Sequence, residues 1–287
     1  MAVNSFVLFN QKYYYKTEFS LNYNNRSFYY GDALFETMHA NGTEIQFFDD
    51  HLIRLKYGMQ VLKMNIPENF EDGMLKKEII KLLHKNKLFQ GVRIRLSVFR
   101  DAEGKYTPAH NNISYLVETS HLEYPYYQLN QKGFTLETFK DIYKPLNIFS
   151  NLKTSNSLVF IMAGIFAKEK NVDDCIILNE NGHPTETISS NLFCIKDQTI
   201  STPSLNEGPV AGIMRKQILR ISNSLGFKVN YKSTISKQEL LNADEVFLTN
   251  TINGIRWVLA YEDKRFFNQK VKLLINKLNE ISFGISS

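Results

Sequence analysis

Two cysteines are all that the 287 residues contain. That is too few for a disulfide framework, so the chain reads as one built for a reducing compartment. Cys175 and Cys194 lie inside apolar runs, Asp-Cys-Ile-Ile-Leu and Leu-Phe-Cys-Ile, where a thiol acts as a small buried hydrophobe. No stretch approaches the roughly 20 apolar residues that cross a bilayer. The first ten residues have neither the basic start nor the apolar length of a signal peptide. A soluble, cytoplasmic protein with no membrane partner is expected. Blocks of like charge are absent too, and the net charge of +5 is spread along the chain. That argues against nucleic-acid binding and suits an anionic small ligand. No His, Cys, Asp or Glu set has metal-ligand spacing, so no metal is expected. The Gly-x-Ser-x-Gly elbow of a hydrolase is missing.

What is present is a globular balance of 43% hydrophobic and 22% charged residues, in a chain too long for one ordinary core. Strand signals run over Val3 to Phe9, over Leu34 to Ala40, and over Glu44 to Phe48 after the Asn41-Gly42 turn. A helix follows, capped by Asp49 or Asp50, with Leu52, Leu55, Met59 and Leu62 as its apolar stripe. This places His51 on the helix surface and Arg54 off the stripe. After Pro67 a second helix is expected from Phe70 to His84. From Gly91 to Phe99 the pattern alternates cleanly: Val92, Ile94, Leu96 and Val98 face one way, Arg93, Arg95 and Ser97 the other. Ile113 to Glu118 reads as strand.

The pattern lapses at 121–132, through Tyr-Pro-Tyr-Tyr and Asn-Gln-Lys-Gly, and a linker is placed there between domains at 1–120 and 133–287. Beyond it come strands near Phe134, Cys175, Leu192 and Glu245. Helices follow at about 156–170 and 213–225, and from Ser236, whose spacing to Glu239 is that of a capping box. An amphipathic helix begins at Asn268. Strands with helices grouped between them make an α+β fold.

Three turns carry polar groups. Asn151-Leu-Lys153-Thr-Ser-Asn156 offers an amine, which is a nucleophile when partly desolvated. Pro184-Thr-Glu186 offers a carboxylate for a positive charge. Gly208-Pro-Val-Ala-Gly212-Ile-Met-Arg215 opens a helix, whose free N–H groups suit a phosphate. An amine, a partner for a ring nitrogen and a phosphate cup are what pyridoxal 5′-phosphate needs.

From Glu186 to Arg215 the chain resembles the class IV aminotransferase signature. The matching residues are Glu186, Ile188, Asn191-Leu192-Phe193, Ile200-Ser-Thr202 and Val210-Ala-Gly212-Ile213-Met-Arg215. Lys153-Thr-Ser-Asn156 resembles the family's lysine motif. Tyr30-Gly31-Asp32-Ala-Leu-Phe35-Glu36-Thr37 and His51-Leu-Ile-Arg54-Leu55 resemble its N-terminal region, and Asn242 to Thr251 its late phosphate-side strand. The resemblance implies a two-domain fold type IV enzyme, similar to D-amino acid aminotransferase. Its cofactor would lie in the interdomain cleft, and residues 133–287 would form an α/β-barrel-like cofactor domain. It implies a pyridoxal 5′-phosphate Schiff base on Lys153 and Glu186 on the pyridine nitrogen. It also implies Arg54, Ile213, Met214, Thr249, Asn250 and Thr251 around the phosphate, and a homodimer.

Two reactions stay open on these residues. One is transfer of an amino group from an amino acid to a 2-oxo acid. The other is the aminodeoxychorismate lyase reaction, releasing pyruvate and 4-aminobenzoate. Phe35 and Thr37 fall at substrate-side positions, and Thr37 resembles lyase-like members. Lys105, in Arg100-Asp-Ala-Glu-Gly-Lys105-Tyr106, stands where lyases carry arginine, which keeps the charge without the bidentate fork. Arg95 binds a substrate carboxylate or makes a surface ion pair. A scaffold that keeps the fold as a binding protein without the cofactor is the third reading. Retention of Lys153, Glu186 and Arg54 argues against it.

Overall fold

The computed structural model describes residues 5–231 and 233–285. The chain divides into two compact units. The first comprises Met1–Tyr126 with Leu152–Asn156, the second Tyr127–Asn151 with Ser157–Ser287.

In the first unit, β1 (Phe6–Phe9), β2 (Lys12–Tyr15), α1 (Arg26–Tyr30), β3 (Ala33–Asn41), β4 (Glu44–Ile45), α2 (Phe48–Val61), α3 (Met74–Lys85), β5 (Val92–Arg100) and β6 (Ile113–His121) follow in order. Residues 3 and 4 of the expected first strand lie outside the described residues. The strands form an antiparallel sheet in the order β2-β1-β6-β5-β3-β4. Val92, Ile94, Leu96 and Val98 of β5 and Leu34, Met38 and Ala40 of β3 join one core with Leu55 and Met59 of α2 and Leu75, Ile79, Leu82 and Leu83 of α3. The alternation read from the sequence is the alternation seen. One sheet face is buried under helices, and the polar residues line the other.

Several local expectations need correction. The strand after the Asn41-Gly42 turn stops at Ile45, because Phe47 adopts a left-handed conformation and Phe48 is already helical. Neither Asp49 nor Asp50 caps α2; both lie in its first turn, where their charge complements the helix dipole. His51 is not on the surface. It is 1% exposed, on the buried face with Phe48, Leu55, Gly58 and Met59. Leu62 falls just past the helix end. Phe70 sits in a separate 3-10 turn, and α3 starts only after Gly73.

In the second unit, β7 (Phe134–Lys144), α4 (Leu158–Glu169), β8 (Asp174–Asn179), β9 (Pro184–Thr187), β10 (Asn191–Lys196), β11 (Thr199–Ser201), α5 (Ile213–Ser224), β12 (Lys228–Asn230), α6 (Lys237–Asn242), β13 (Glu245–Asn250), β14 (Gly254–Tyr261), β15 (Lys264–Arg265) and α7 (Gln269–Phe283) follow, and the strands form a mixed sheet. Its order is β12-β11-β10-β13-β14-β7-β8-β9, with β15 on β14. The short strand β9 pairs with β8 and also with β10, through Glu186 opposite Asn191, which closes six strands into a ring. Leu192, Val246, Leu248 and Val258 fill one core, and Phe139, Ala163, Ala167 and Ile177 a second beneath α4. The capping box on α6 is formed: Ser236 accepts from the Glu239 N–H and Glu239 accepts from the Ser236 N–H. The strand β14 was not evident in the sequence. Cys175 and Cys194 are buried free thiols, and burial pushes each up to about 12. No helix of the described residues is long and apolar enough to cross a membrane.

Candidate active site

Lys153 lies on the five-residue segment that returns to the first unit. Its backbone is fixed by β3: the Phe35 N–H donates to the Lys153 carbonyl at 3.0 Å, Leu34 bridges Thr154, and the Ser155 N–H donates to the Ala33 carbonyl at 2.9 Å. Asn156 anchors the far end through its Nδ2 on the Gly31 carbonyl at 3.3 Å. A Cβ on Gly31 would stand 2.8 Å from Asn156 Oδ1, and its φ of +63° favours glycine. The Lys153 Nζ lies 4.5 Å from the centroid of the Phe35 ring, and the Arg95 guanidinium lies 4.0 Å from the same centroid. Thr37 is two residues along the same strand face and directly opposite Arg95. Thus Phe35, Thr37, Arg95 and Lys153 form one group.

Glu36 points to the opposite face of β3, where the helix-side core lies. Arg54 grips it with a fork, its Nε 2.8 Å from Oε1 and its Nη2 on Oε2. His51 Nδ1 is 2.6 Å from Oε2. Burial works to raise the Glu36 carboxyl, but Arg54 and His51 beside it hold it down at about 2. Burial lowers His51 while the Glu36 carboxylate works to raise it, and its Nε2 is buried without a partner. Arg54 supplies the positive charge of this trio. Nothing in the sequence singled out Glu36 as the holder of Arg54. The spacing of His51 and Arg54, three apart on one helix, was the available signal.

Lys105 stands apart from the Phe35 group. It is exposed on the loop after β5, and its carbonyl accepts from Arg26 Nη1 at 2.6 Å. Arg26 also takes the Gly104 carbonyl at 2.8 Å and Asp32 at 2.8 Å, and Arg100 holds the same Asp32 oxygen at 2.9 Å.

The other candidate residues belong to the second unit. Glu186 is buried on β9. Its Oε1 is ion-paired with Lys144 Nζ, and its Oε2 accepts from the Val210 N–H at 3.0 Å. Asn191 faces it in register, pairs with Thr249 on the other side, and donates from Nδ2 to the Val210 carbonyl at 2.9 Å. Gly212 caps α5 without a side-chain bond. A Cβ there would fall 1.8 Å from Asn191 Oδ1, so only glycine fits. Helix geometry leaves the N–H groups of Ile213 and Met214 without acceptors inside α5. The Thr249 hydroxyl is buried with no hydrogen-bond partner. Asn250 shapes the turn into β14, its Oδ1 accepting from Ile252 N and Asn253 N at 3.1 and 2.8 Å. The Thr251 carbonyl accepts from the Tyr127 hydroxyl at 3.3 Å.

This donor set fits a phosphate ester. It offers helix N–H groups, an unpartnered buried hydroxyl at Thr249 and a glycine cradle, with no acidic residue in the first turn of α5. A buried carboxylate at Glu186 suits a protonated ring nitrogen. The sequence does not mark Lys144 or Asn191 as a partner of Glu186, because only the pairing of distant strands puts them there.

The family model for amino-transferase class IV matches residues 33–261. Among curated relatives, a probable branched-chain-amino-acid aminotransferase of Aquifex aeolicus is 28% identical over 97% of this chain and 91% of its own length. An aminodeoxychorismate lyase of Vibrio harveyi is 25% identical over 80% of this chain and 83% of its own. Among solved structures, the branched-chain amino acid aminotransferase from Escherichia coli superposes with a TM-score of 0.88. It covers 99% of this chain and 96% of that one at 20% identity, a likeness of fold.

Proposed function

The chain belongs to the class IV aminotransferase family, and on that premise we propose that it is a pyridoxal-phosphate enzyme that moves the amino group of an amino acid to a 2-oxo acid through Lys153. The observation that carries this reading is the shared Phe35 ring. It places an amine, Lys153 Nζ, and a guanidinium, Arg95, within 4.5 and 4.0 Å of one centroid. An amino acid brings a carboxylate for a guanidinium and an amino group for the chemistry of the lysine.

Lys153 would hold the cofactor covalently by its Nζ. Ile213 and Met214 N–H, the Thr249 hydroxyl, Thr251 and Arg54 would bind the phosphate, with Asn250 setting the turn that carries Thr251. When bound, pyridoxal phosphate supplies an electron sink that weakens the Cα–H bond of an amino acid. Glu186 keeps a proton on the ring nitrogen by offering it a negative charge. Glu36 orients the Arg54 fork, and the buried pair leaves Arg54 little rotational freedom. Lys153 Nζ, 4.5 Å from the Phe35 ring centroid, would take the proton from the substrate Cα. Arg95 fixes the substrate carboxylate, and Thr37 sits opposite to shape that pocket.

The lyase reading is favoured by Thr37, which resembles lyase-like members, and the aminodeoxychorismate lyase relative supports it. Lys105 would then meet the second carboxylate of its larger substrate. One assay separates the two. Protein loaded with cofactor is offered aminodeoxychorismate, or L- or D-amino acids with 2-oxoglutarate, and products are read by mass spectrometry. Glutamate without 4-aminobenzoate supports transamination. 4-Aminobenzoate with pyruvate supports the lyase reaction, and neither product overturns both.

A homodimer is part of the proposal. Leu158, Ile161, Met162 and Ile165 of α4 are exposed at helical spacing, while only Ala163 and Ala167 of that helix are buried. A bare apolar stripe of this kind needs a cover, and a second copy supplies one.

A further inference from the structure

Lys144 ends β7, in register with Asn179 of β8. Nothing in its sequence surroundings marks it, yet its side chain is only 8% exposed and that of its partner Glu186 only 4%. Its Nζ pairs with Glu186 Oε1 and lies 5.4 Å from the centroid of the Phe160 ring. Among the described residues Glu186 is its one ion-pair partner.

Burying an ammonium and a carboxylate together is a weak way to stabilise a fold, because desolvation takes back most of the attraction. Such a pair is retained more readily where one member has another use. Glu186 has one in the reading above, on which this inference rests: its carboxylate holds the proton of the cofactor's ring nitrogen. An ionised carboxylate has about four acceptor positions, and the Val210 N–H and Lys144 occupy two of them. The oxygens therefore remain able to accept another donor. The negative charge, however, is already countered.

We propose that Lys144 is the resident counter-ion of Glu186. In the cofactor-free protein it neutralises the buried carboxylate. In the loaded protein it competes with the cofactor's ring nitrogen for the same charge, and so sets how tightly that nitrogen is held. Lys144 is a positioning residue: it acts through Glu186 and touches no reacting atom. Its flexible stem and single point charge suit an exchangeable partner, unlike the planar fork of an arginine.

Lys144→Met keeps an unbranched stem, one atom shorter, and removes the charge. The measurements are thermal unfolding of the cofactor-stripped full chain and titration of that chain with pyridoxal phosphate, followed by absorbance. The cofactor-free Tm of K144M should fall by about 5–10 °C, since a buried carboxylate is left without its cation. Its dissociation constant for pyridoxal phosphate should tighten about tenfold, because the ring nitrogen becomes the only cation available to Glu186. The double variant K144M/E186Q should recover the lost Tm, and it also reads the coupling if K144M alone does not fold. K144R should stay near wild type in both measurements. Unchanged Tm and affinity in K144M, weaker cofactor binding in K144M, or a double variant no more stable than K144M would each overturn the proposal. Wild-type protein that binds no pyridoxal phosphate would instead remove the parent reading and this inference together.

Discussion

Each unit buries one glutamate with a cation, and the two pairs are built differently. Glu36 in the first unit is held on both oxygens by the Arg54 fork and again by His51. Glu186 in the second is held by one lysine and one backbone N–H. The first arrangement has three side-chain contacts on its two carboxylate oxygens, as befits a group that orients another side chain. The second has one charged partner and one backbone N–H, as the proposed ligand-receiving role of Glu186 requires. Burial alone does not separate them, since both are nearly inaccessible. The number and stiffness of the partners does.

The largest expected break comes from outside both pairs. Lys153→Ala should abolish turnover and the cofactor's visible absorbance; a variant with normal activity and colour would remove Lys153 from the mechanism. Next, Glu36→Ala leaves the Arg54 guanidinium and His51 buried without their carboxylate. It should cost about 3–5 kcal/mol in urea unfolding and weaken cofactor binding, whereas Glu186→Ala should leave the cofactor bound. Equal losses of cofactor affinity in the two alanine variants would erase the contrast drawn here. In the catalytic direction the order reverses for kcat: Glu186→Ala should slow turnover on the order of 10²-fold, as for other single electrostatic contacts in a dry site.

The pH dependence sharpens the comparison further. The folded-state carboxyl of Glu36 lies at about 2, below its ordinary 4.5. The stability it contributes is therefore fully present above about 4.5 and is lost as the pH falls through about 2. Unfolding free energy measured from pH 6 to pH 2 should show this acid slope in the wild type and a shallower one in Glu36→Gln. Identical slopes would mean that Glu36 titrates normally. The smallest effect is at the surface. Leu158→Glu on α4 should shift the protein from dimer to monomer by light scattering and leave the far-UV spectrum of the folded chain unchanged.

What was legible in the sequence follows from range. The alternation over β5 was plain, because one face meets the core and the other does not. The capping box at Ser236 was plain because its parts are three residues apart. Glu186, Asn191 and Gly212 stood out through the motif, although only strand register shows that Asn191 bonds Val210 and excludes a Cβ from residue 212. Contacts at long range left no local trace. Glu36 and Arg54 are 18 residues apart and Lys144 and Glu186 are 42 apart, so neither pair could be read from periodicity. His51 reads as surface because it stands near its helix N-terminus; its burial is explained by a carboxylate that arrives from a neighbouring strand. The strand β14 was missed because its buried residues, Gly254, Ile255, Val258 and Tyr261, do not alternate.

The central claim is that Lys153 carries the cofactor. The direct measurement is to load the full chain with pyridoxal phosphate, reduce it with borohydride, digest it and map the modified peptide by mass spectrometry. The account predicts one phosphopyridoxyl group on Lys153. A label on Lys144 or another lysine, or no label at all on protein that is otherwise folded, would contradict it.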